Sequence, residues 1–233
     1  MKRYRAILFD ADETLLDFKK SERHAFYQTA AHWNLKCDEN LLQQYSAANK
    51  EAWLLYEQGV FGKERLTVYR FEKFFERERL NFDPNEWNTY YKECLGDTGF
   101  LLEGANELID FSRENFEIYI VTNGIASVQH KRLEKANIKH LFSKIFISEE
   151  LGFQKPKREY FDAVFFDIPY SKDEVLLIGD SLTSDIAGGV GYGIDTCFIN
   201  WKSITPDPKP TYMVSNLGET LTLLKRISLV NDL

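Results

Sequence analysis

The amino-acid sequence predicts an α/β protein in which a doubly wound parallel sheet is interrupted by an inserted all-helical domain. Six short runs rich in β-branched and aromatic residues end in polar or glycine residues, and helical periodicity fills the intervals between the later runs. One long stretch, residues 17–96, has helical periodicity alone. Because alternating strands and helices are typical of a parallel sheet, we predict a Rossmann-like core made of residues 1–16 and 97–233.

The six predicted strands are "RAILFD", "FEIYIVTNG", "SKIFISEE", "EVLLIGD", "DTCFIN" and "TYMVSN". Their apolar runs are nearly continuous, which is typical of strands that are covered on both faces. Two of the intervals, "ASVQHKRLEKAN" and "REYFDAVFFDI", have helical spacing. The tract "GGVGYG" lacks the spacing of a dinucleotide-binding turn, so we predict a loop there, and "ITPDPKP" is predicted to be an extended loop between the last two strands.

The insertion at residues 17–96 is predicted to be a bundle of about four helices. A helical spacing of apolar positions recurs at Leu41, Tyr45, Ala48, Ala52 and Leu55. Gly59 and Gly62 separate two helices, and Asp83-Pro84 begins another, since proline is favoured in the first helical turn. The many aromatic residues of this segment are expected mainly to fill the bundle core, and a few of them to contact a ligand.

Composition limits the possible partners. The chain has 233 residues and a formal net charge of −7, which disfavours binding to nucleic-acid polymers because that binding needs a basic surface. A small anionic ligand remains compatible with it. The three cysteines, Cys37, Cys94 and Cys197, form no CxxC pattern, which is typical of buried thiols in a reducing compartment, so we predict a cytoplasmic protein. Neither a membrane span nor a signal peptide is predicted.

Two carboxylates follow the first predicted strand. Asp10 and Asp12 are two residues apart, and residues at that spacing in a strand lie on the same face of the sheet. Like charges that close raise one pKa unless a cation lies between them. The pair therefore predicts either a shared proton or a bound metal.

Polar residues also follow the other strands. Thr122 and Asn123 end the second run, Lys155 follows the third, and Asp180 follows the fourth, with Asp185 five residues later. Because the carboxyl ends of strands in a doubly wound sheet line one crevice, these side chains are expected to converge. Each residue alone would be interpreted as a helix cap or a solvated side chain, but the combination of types favours a site.

The combination suggests a metal and a phosphate. Asp10, Asp12, Asp180 and Asp185 supply the hard oxygen ligands that Mg²⁺ prefers. Thr122 supplies a hydroxyl, the Asn123-Gly124 turn supplies backbone N–H groups, and Lys155 supplies a positive charge, which together suit phosphate oxygens.

At these motifs the chain resembles the phosphatase branch of the haloacid dehalogenase (HAD) superfamily. "FDADETL", "VTNG", "KP" and "GDSLTSD" are similar to its four motifs, and the helical insertion is similar to its C1 cap, which closes over the crevice. Within the family, "TNGIASVQHKRL" and "GDSLTSDIAGG" look closest to pyrimidine 5′-nucleotidases.

The resemblance implies that Asp10 attacks phosphorus and forms an aspartyl-phosphate, while Asp12 acts as general acid and base. It also implies that Mg²⁺ is bound by Asp10 and Asp180 directly, by Asp12 through its backbone carbonyl, and by Asp185 through a water molecule. The implied substrate is a small phosphorylated metabolite, a nucleoside monophosphate.

Several alternatives share these motifs. A dehalogenase would use the same nucleophile but has no need of an acid at Asp12, so that residue counts against it. A phosphomutase or a phosphatase of small sugar phosphates would share the whole core. A phospho-accepting signalling receiver also groups acids, Thr and Lys at strand ends, but it resembles a shorter domain without a helical insertion. A non-catalytic binding protein would be expected to lack one of these groups.

Overall fold

The core contains one six-stranded sheet. The computed structural model describes residues 3–231, and its strands are β1 (Ala6–Phe9), β2 (Glu117–Thr122), β3 (Lys144–Ile147), β4 (Val175–Gly179), β5 (Asp195–Ile199) and β6 (Tyr212–Val214). All neighbouring strands are parallel, in the order β3-β2-β1-β4-β5-β6. This topology confirms the predicted doubly wound fold, because the strand order reverses direction beside β1.

Ten α-helices accompany the sheet within residues 3–231. The insertion contains α1 (Phe18–His32), α2 (Glu39–Glu57), α3 (Lys63–Glu78) and α4 (Pro84–Gly96), as predicted. The others are α5 (Ala105–Asn115), α6 (Ala126–Lys135), α7 (Ser148–Leu151), α8 (Arg158–Asp167), α9 (Ala187–Tyr192) and α10 (Leu217–Asn231). None of the helices in the described chain is both long enough and apolar enough to cross a bilayer.

The chain divides into two compact units. One contains residues up to 18 together with 100–126 and 136 onward, and the other contains residues 19–99 and 127–135. The second unit therefore includes most of α6, a segment that the sequence-based division assigned to the core. The sheet lies entirely in the first unit, and α1–α4 form nearly all of the second.

Strand β1 is the centre of the sheet. All four of its residues are completely buried, and it pairs with β2 through Ala6 and Glu117 and with β4 through Ala6 and Val175. One face of the sheet packs against α8, which contributes Tyr160 and Phe161 to the core. A strand buried on both faces requires a continuous apolar run, which explains the absence of alternation in "AILF".

Local sequence signals determine where two helices of the second unit begin. The Asp38 carboxylate accepts a hydrogen bond from Leu41 N at the start of α2. The Asp83 carboxylate likewise accepts from Asn85 N and Glu86 N at the start of α4, where Pro84 is the first helical residue. Both caps satisfy N–H groups that a helix leaves unpaired.

The buried face of α2 is shifted slightly from the predicted one. Tyr45 is buried as expected, whereas Leu41 and Leu55 are only half-buried. The Tyr45 ring stacks between Phe26 of α1, with ring centroids 4.9 Å apart, and Phe71 of α3, at 5.2 Å. The predicted aromatic core of the bundle is therefore present at these positions.

A buried arginine connects three of the helices. Arg70 of α3 is 1% exposed, and its guanidinium donates to Asn49 Oδ1 of α2 (3.2 Å) and Asn88 Oδ1 of α4 (3.2 Å). Its Nε donates to the Thr67 carbonyl (3.1 Å). Asn49 Nδ2 in turn donates to the Glu22 carboxylate of α1 (2.8 Å), so the network reaches all four helices of the insertion.

The prediction of a loop at "GGVGYG" is wrong. Gly188 to Tyr192 belong to α9, and Gly193 ends this helix in the left-handed conformation (φ 89°). A Cβ on Gly188 would lie 2.9 Å from the Phe161 ring, and one on Gly189 would lie 2.4 Å from Thr196 Cγ2. The glycines therefore permit close packing of a helix, and this packing outweighs their poor helix propensity.

Candidate active site

Three predicted carboxylates come together at the carboxyl edge of the sheet. Asp10 follows β1, and its N–H donates to the Ile178 carbonyl (2.9 Å), which extends the β1–β4 ladder by one residue. Asp180 follows β4, and Asp185 lies in a π-helical turn, Leu182–Ile186. Each of the three residues offers a carboxylate oxygen that lies within 4.8 Å of the other two.

Lys155 lies among these carboxylates. Its side chain is 1% exposed, and Nζ donates to Asp10 Oδ1 (2.7 Å), Asp185 Oδ1 (2.7 Å) and the Val121 carbonyl (2.8 Å). Burial alone lowers the pKa of Lys155, but the charges of Asp10 and Asp185 outweigh it, so the pKa lies above its usual value. The ammonium group therefore stays charged in the buried site.

The negative charge of the site is incompletely compensated. Burial, together with the charges of Asp185 and Asp12, raises the pKa of Asp10 to about 7 against the opposing effect of Lys155. Burial also raises the pKa of Asp180 to about 8, with further contributions from Asp10, Asp185 and Glu13. The cluster holds three carboxylates, and the ammonium group of Lys155 bonds to two of them, so an additional cation would stabilise their ionised forms. Hard, closely spaced carboxylate oxygens fit Mg²⁺ well.

The position of Asp185 depends on Gly179. A Cβ on Gly179 would lie 2.3 Å from Asp185 Oδ2, so no larger residue fits without moving the carboxylate. Ser181 N donates to Asp185 Oδ2 (3.1 Å), and Ser181 Oγ accepts from Ser184 N at the start of the turn. No sequence pattern singled out Gly179 or Ser181, although both belong to the motif "GDSLTSD".

Asn123 holds the backbone of Lys155. Its Oδ1 accepts from Lys155 N (2.9 Å), and its Nδ2 donates to the Lys155 carbonyl (2.8 Å). The side-chain amide thus positions the lysine, whereas phosphate binding by the N–H groups of the turn remains a prediction. Thr122 ends β2 and is buried, and its Oγ1 accepts from Gly124 N (3.1 Å).

Asp12 lies in a tight loop beyond the strand. The Ala11 carbonyl accepts from Leu15 N (2.9 Å) and Leu16 N (2.8 Å), so the chain turns directly after Asp10. Among residues 3–231, the acidic group close enough to share a metal contains Asp10, Asp180 and Asp185, and the Asp12 carboxylate is outside it. Strand alternation did not predict this because β1 ends at Phe9. The charge of Asp12 nevertheless raises the pKa of Asp10.

A tryptophan from the segment after β5 also contacts this loop. The indole Nε1 of Trp201 donates to the Glu13 carbonyl at 2.8 Å, across 188 positions of sequence. No motif in the sequence indicates this contact, because Trp201 lies in the segment after β5 and the pairing depends on the order of strands in the sheet.

Comparison with known proteins identifies the family. A model of haloacid dehalogenase-like hydrolases matches residues 4–193. The chain therefore belongs to this family and is a HAD-family hydrolase, which confirms the resemblance of the four motifs.

The relatives that match nearly the whole chain include three bacterial proteins that are at least 33% identical to it. The HAD-hydrolase YfnB of Bacillus subtilis is 37% identical over 227 residues, covering 96% of this chain and 97% of its own. A crystal structure of YfnB bound to magnesium superposes with a TM-score of 0.91, at 36% identity, over 96% of this chain and 100% of that one. The pyrimidine 5′-nucleotidase YjjG of Escherichia coli is 33% identical over 94% of this chain and 96% of its own. The pyrimidine 5′-nucleotidase PynA of Streptococcus pneumoniae is 33% identical over 96% of each chain.

Proposed function

We propose that this protein is a Mg²⁺-dependent phosphomonoester hydrolase that acts through an aspartyl-phosphate intermediate, with pyrimidine nucleoside 5′-monophosphates as substrates. One observation carries the proposal: the ammonium group of Lys155 is shared by Asp10 and Asp185, and the Asp180 carboxylate lies in the same cluster. This arrangement combines a nucleophile, a buried cation and a ligand set for a divalent metal.

Asp10, Asp180 and Asp185 would hold Mg²⁺, together with the backbone carbonyl of Asp12 that the family resemblance implies. When bound, Mg²⁺ supplies positive charge to the phosphoryl oxygens and to the crowded carboxylates. Magnesium was bound in the crystal structure of the relative YfnB, which supports this choice of metal.

In the first step the free oxygen of Asp10 attacks phosphorus while Lys155 holds the other oxygen, Oδ1. The bond between phosphorus and the ester oxygen breaks, and Asp12 donates its proton to the leaving alcohol. In the second step Asp12 accepts a proton from water, and this water attacks phosphorus. Phosphate leaves and the Asp10 carboxylate is restored.

The substrate class rests on the relatives. Lys155 and the Thr122–Gly124 turn would contact a phosphate group that all monoesters share, so they cannot select among substrates. Selectivity must come from residues that contact the nucleoside, through pocket size or hydrogen bonds to the base. Two relatives at 33% identity are named pyrimidine 5′-nucleotidases, which favours these substrates over sugar phosphates.

The same proposal includes three predictions about partners and location. The protein should bind neither nucleic-acid polymers nor membranes, and it should be cytoplasmic. A net charge of −7 opposes association with polymeric phosphates, which would repel an acidic surface. Small mononucleotides would be the partners of such an enzyme.

Phosphate release from a substrate panel tests the proposal. UMP and TMP should exceed AMP, GMP, 3′-nucleotides and sugar phosphates in kcat/KM with Mg²⁺ present, and EDTA should abolish all activity. A sugar phosphate that is hydrolysed at least about tenfold better than every nucleotide would contradict the nucleotidase assignment, since one missing contact in a pocket changes selectivity by about that factor. Full activity in EDTA would contradict the metal requirement.

Two isosteric substitutions test the roles of the two acids. D10N should abolish turnover, because an amide oxygen is a poor nucleophile. D12N should lower kcat by about 10²–10⁴-fold, the usual effect of removing a general acid or base. Hydrolysis of p-nitrophenyl phosphate by D10N at a near wild-type rate would contradict the covalent mechanism.

A further inference from the structure

The loop after β1 contains a residue in a conformation that side chains disfavour. Glu13 has φ 55°, in the left-handed region that glycine adopts most readily. It follows Asp12 directly, so the Asp12–Glu13 peptide is oriented by the backbone angles of both residues. A residue in this region keeps its conformation only where its surroundings hold it.

Hydrogen bonds hold Glu13 on both sides. Its N–H donates to the Leu16 carbonyl (2.8 Å), a contact within the loop itself. Its carbonyl accepts from the indole Nε1 of Trp201 (2.8 Å), a contact from a different part of the sheet. The second contact therefore joins Glu13 to a segment outside the loop, and the hydrogen bond from Leu102 N to the Leu15 carbonyl (2.9 Å) holds a later part of the loop.

Trp201 is itself held in place. Its backbone N–H donates to the Ile199 carbonyl at the end of β5 (3.2 Å). The side chain of Asn200 donates to the Ile204 carbonyl (2.7 Å) and accepts from Ile204 N (3.0 Å), which closes the short loop around Trp201. The Trp201 side chain thus extends from a hydrogen-bonded loop at the end of β5, and at 39% exposure its replacement opens no core cavity.

We propose that Trp201 is a positioning residue for Asp12: its indole N–H fixes the Glu13 carbonyl and thereby the direction of the preceding acid. This inference rests on the proposed role of Asp12 as general acid. Without the indole, Glu13 relaxes toward negative φ, the Asp12–Glu13 peptide rotates, and the Asp12 carboxylate moves away from the leaving oxygen. Trp201 itself contacts no substrate in this proposal.

Leaving-group chemistry separates this role from a general structural one. An alcohol leaves only if it is protonated, whereas p-nitrophenolate leaves without a proton. W201F keeps an aromatic ring and removes the N–H donor. It should therefore lower kcat/KM for the best nucleotide substrate by about tenfold and for p-nitrophenyl phosphate by less than about twofold, because small misplacements of a catalytic group cost such factors. W53F in α2 removes an indole N–H elsewhere and should change neither value.

A second substitution tests the link through Glu13. In the W201F background, E13G should restore kcat/KM for the nucleotide to within about threefold of the E13G single variant, because glycine adopts positive φ without strain. E13A in the W201F background removes the same carboxylate, but alanine disfavours positive φ as glutamate does. It should therefore not restore kcat/KM for the nucleotide. Equal behaviour of the Gly and Ala variants would contradict the proposal.

Hydrogen exchange gives a readout that needs no activity. Amides of residues 10–17 should exchange faster in W201F than in the wild-type protein, and W53F should match the wild type. If the wild-type protein hydrolyses no phosphate monoester, the proposed function fails. Unchanged amide exchange of residues 10–17 in W201F would separately show that the hydrogen bond from Trp201 to Glu13 does not hold the loop. If the wild type is active, equal losses of W201F on both substrates would overturn the positioning of Asp12.

Discussion

At the scale of single residues, the charged groups of the site depend on uncharged neighbours. Asn123 fixes the backbone of Lys155, and Gly179 leaves the space that Asp185 occupies. Residue types at the strand ends and in the segments that follow them were sufficient to predict Asp10, Lys155, Asp180 and Asp185 as one group. The side-chain contacts of Asn123 and the direction of Asp12 could not be predicted, because they depend on turns whose geometry no periodic pattern encodes.

The space beside Gly179 leads to a prediction. G179A would put a methyl group 2.3 Å from Asp185 Oδ2, so the carboxylate must leave the position in which its Oδ1 accepts from Lys155. We expect G179A to lower Mg²⁺ affinity and kcat/KM by at least about tenfold, since a misplaced ligand or catalytic group costs such factors. Calorimetric titration with Mg²⁺ and phosphate release would measure both.

A matched control is available in α9. Gly191 has open space at the Cβ position and an ordinary φ, so G191A should leave both quantities unchanged. If G179A bound Mg²⁺ and turned over substrate as well as G191A, the close packing of Asp185 against β4 would have no functional importance.

At the scale of elements, the six strands and the four helices of the insertion followed from apolar runs, caps and glycine breaks. Those signals are local, so the sequence alone was sufficient. Helix α9 was missed because its glycines are explained by close contacts with Phe161 and Thr196, which lie far away in sequence. The extension of the second unit to 127–135 likewise depends on tertiary contacts that periodicity does not report.

The helical bundle depends on Arg70 more than on its surface ion pairs. R70M would leave Asn49 Oδ1 and Asn88 Oδ1 without their buried donor. We expect a loss of about 3 kcal/mol in the free energy of unfolding, because orphaned buried polar groups are costly. Urea unfolding followed by circular dichroism would measure it.

Arg65 in the same helix gives the comparison. Its guanidinium forms an ion pair with Glu72 that is exposed to solvent, so R65A should cost less than about 1 kcal/mol. Similar losses for R65A and R70M would show that burial of the Arg70 network contributes little to the stability of the bundle.

At the scale of the whole molecule, the acidic site should couple stability to pH and to divalent cations. Burial raises the pKa of Asp180 from 3.8 to about 8, so the folded state binds a proton more tightly than the unfolded state. The contribution of protonated Asp180 to the free energy of unfolding is therefore present at low pH, and it is lost as the pH rises from 3.8 to about 8. A cation bound only by the folded state would restore stability.

This coupling predicts the behaviour of D180N. In EDTA at pH 8, D180N should unfold at a higher urea concentration than the wild-type protein, because it removes one crowded charge. Mg²⁺ should raise the wild-type midpoint and have little effect on D180N. D207N removes an exposed carboxylate and should resemble the wild type. An equal effect of Mg²⁺ on D180N and the wild type would contradict a metal site at Asp180.

The central position of β1 has a consequence for how the chain folds. During synthesis β1 leaves the ribosome before both of its neighbours, which are completed only after residues 122 and 179. The bundle of α1–α4, whose contacts are closer in sequence, can form during that delay. The four apolar residues of β1 stay unpaired until β2 and β4 have been synthesised. High contact order slows such pairing, so the nascent chain should be most prone to aggregation, and most dependent on chaperones, before β4 emerges.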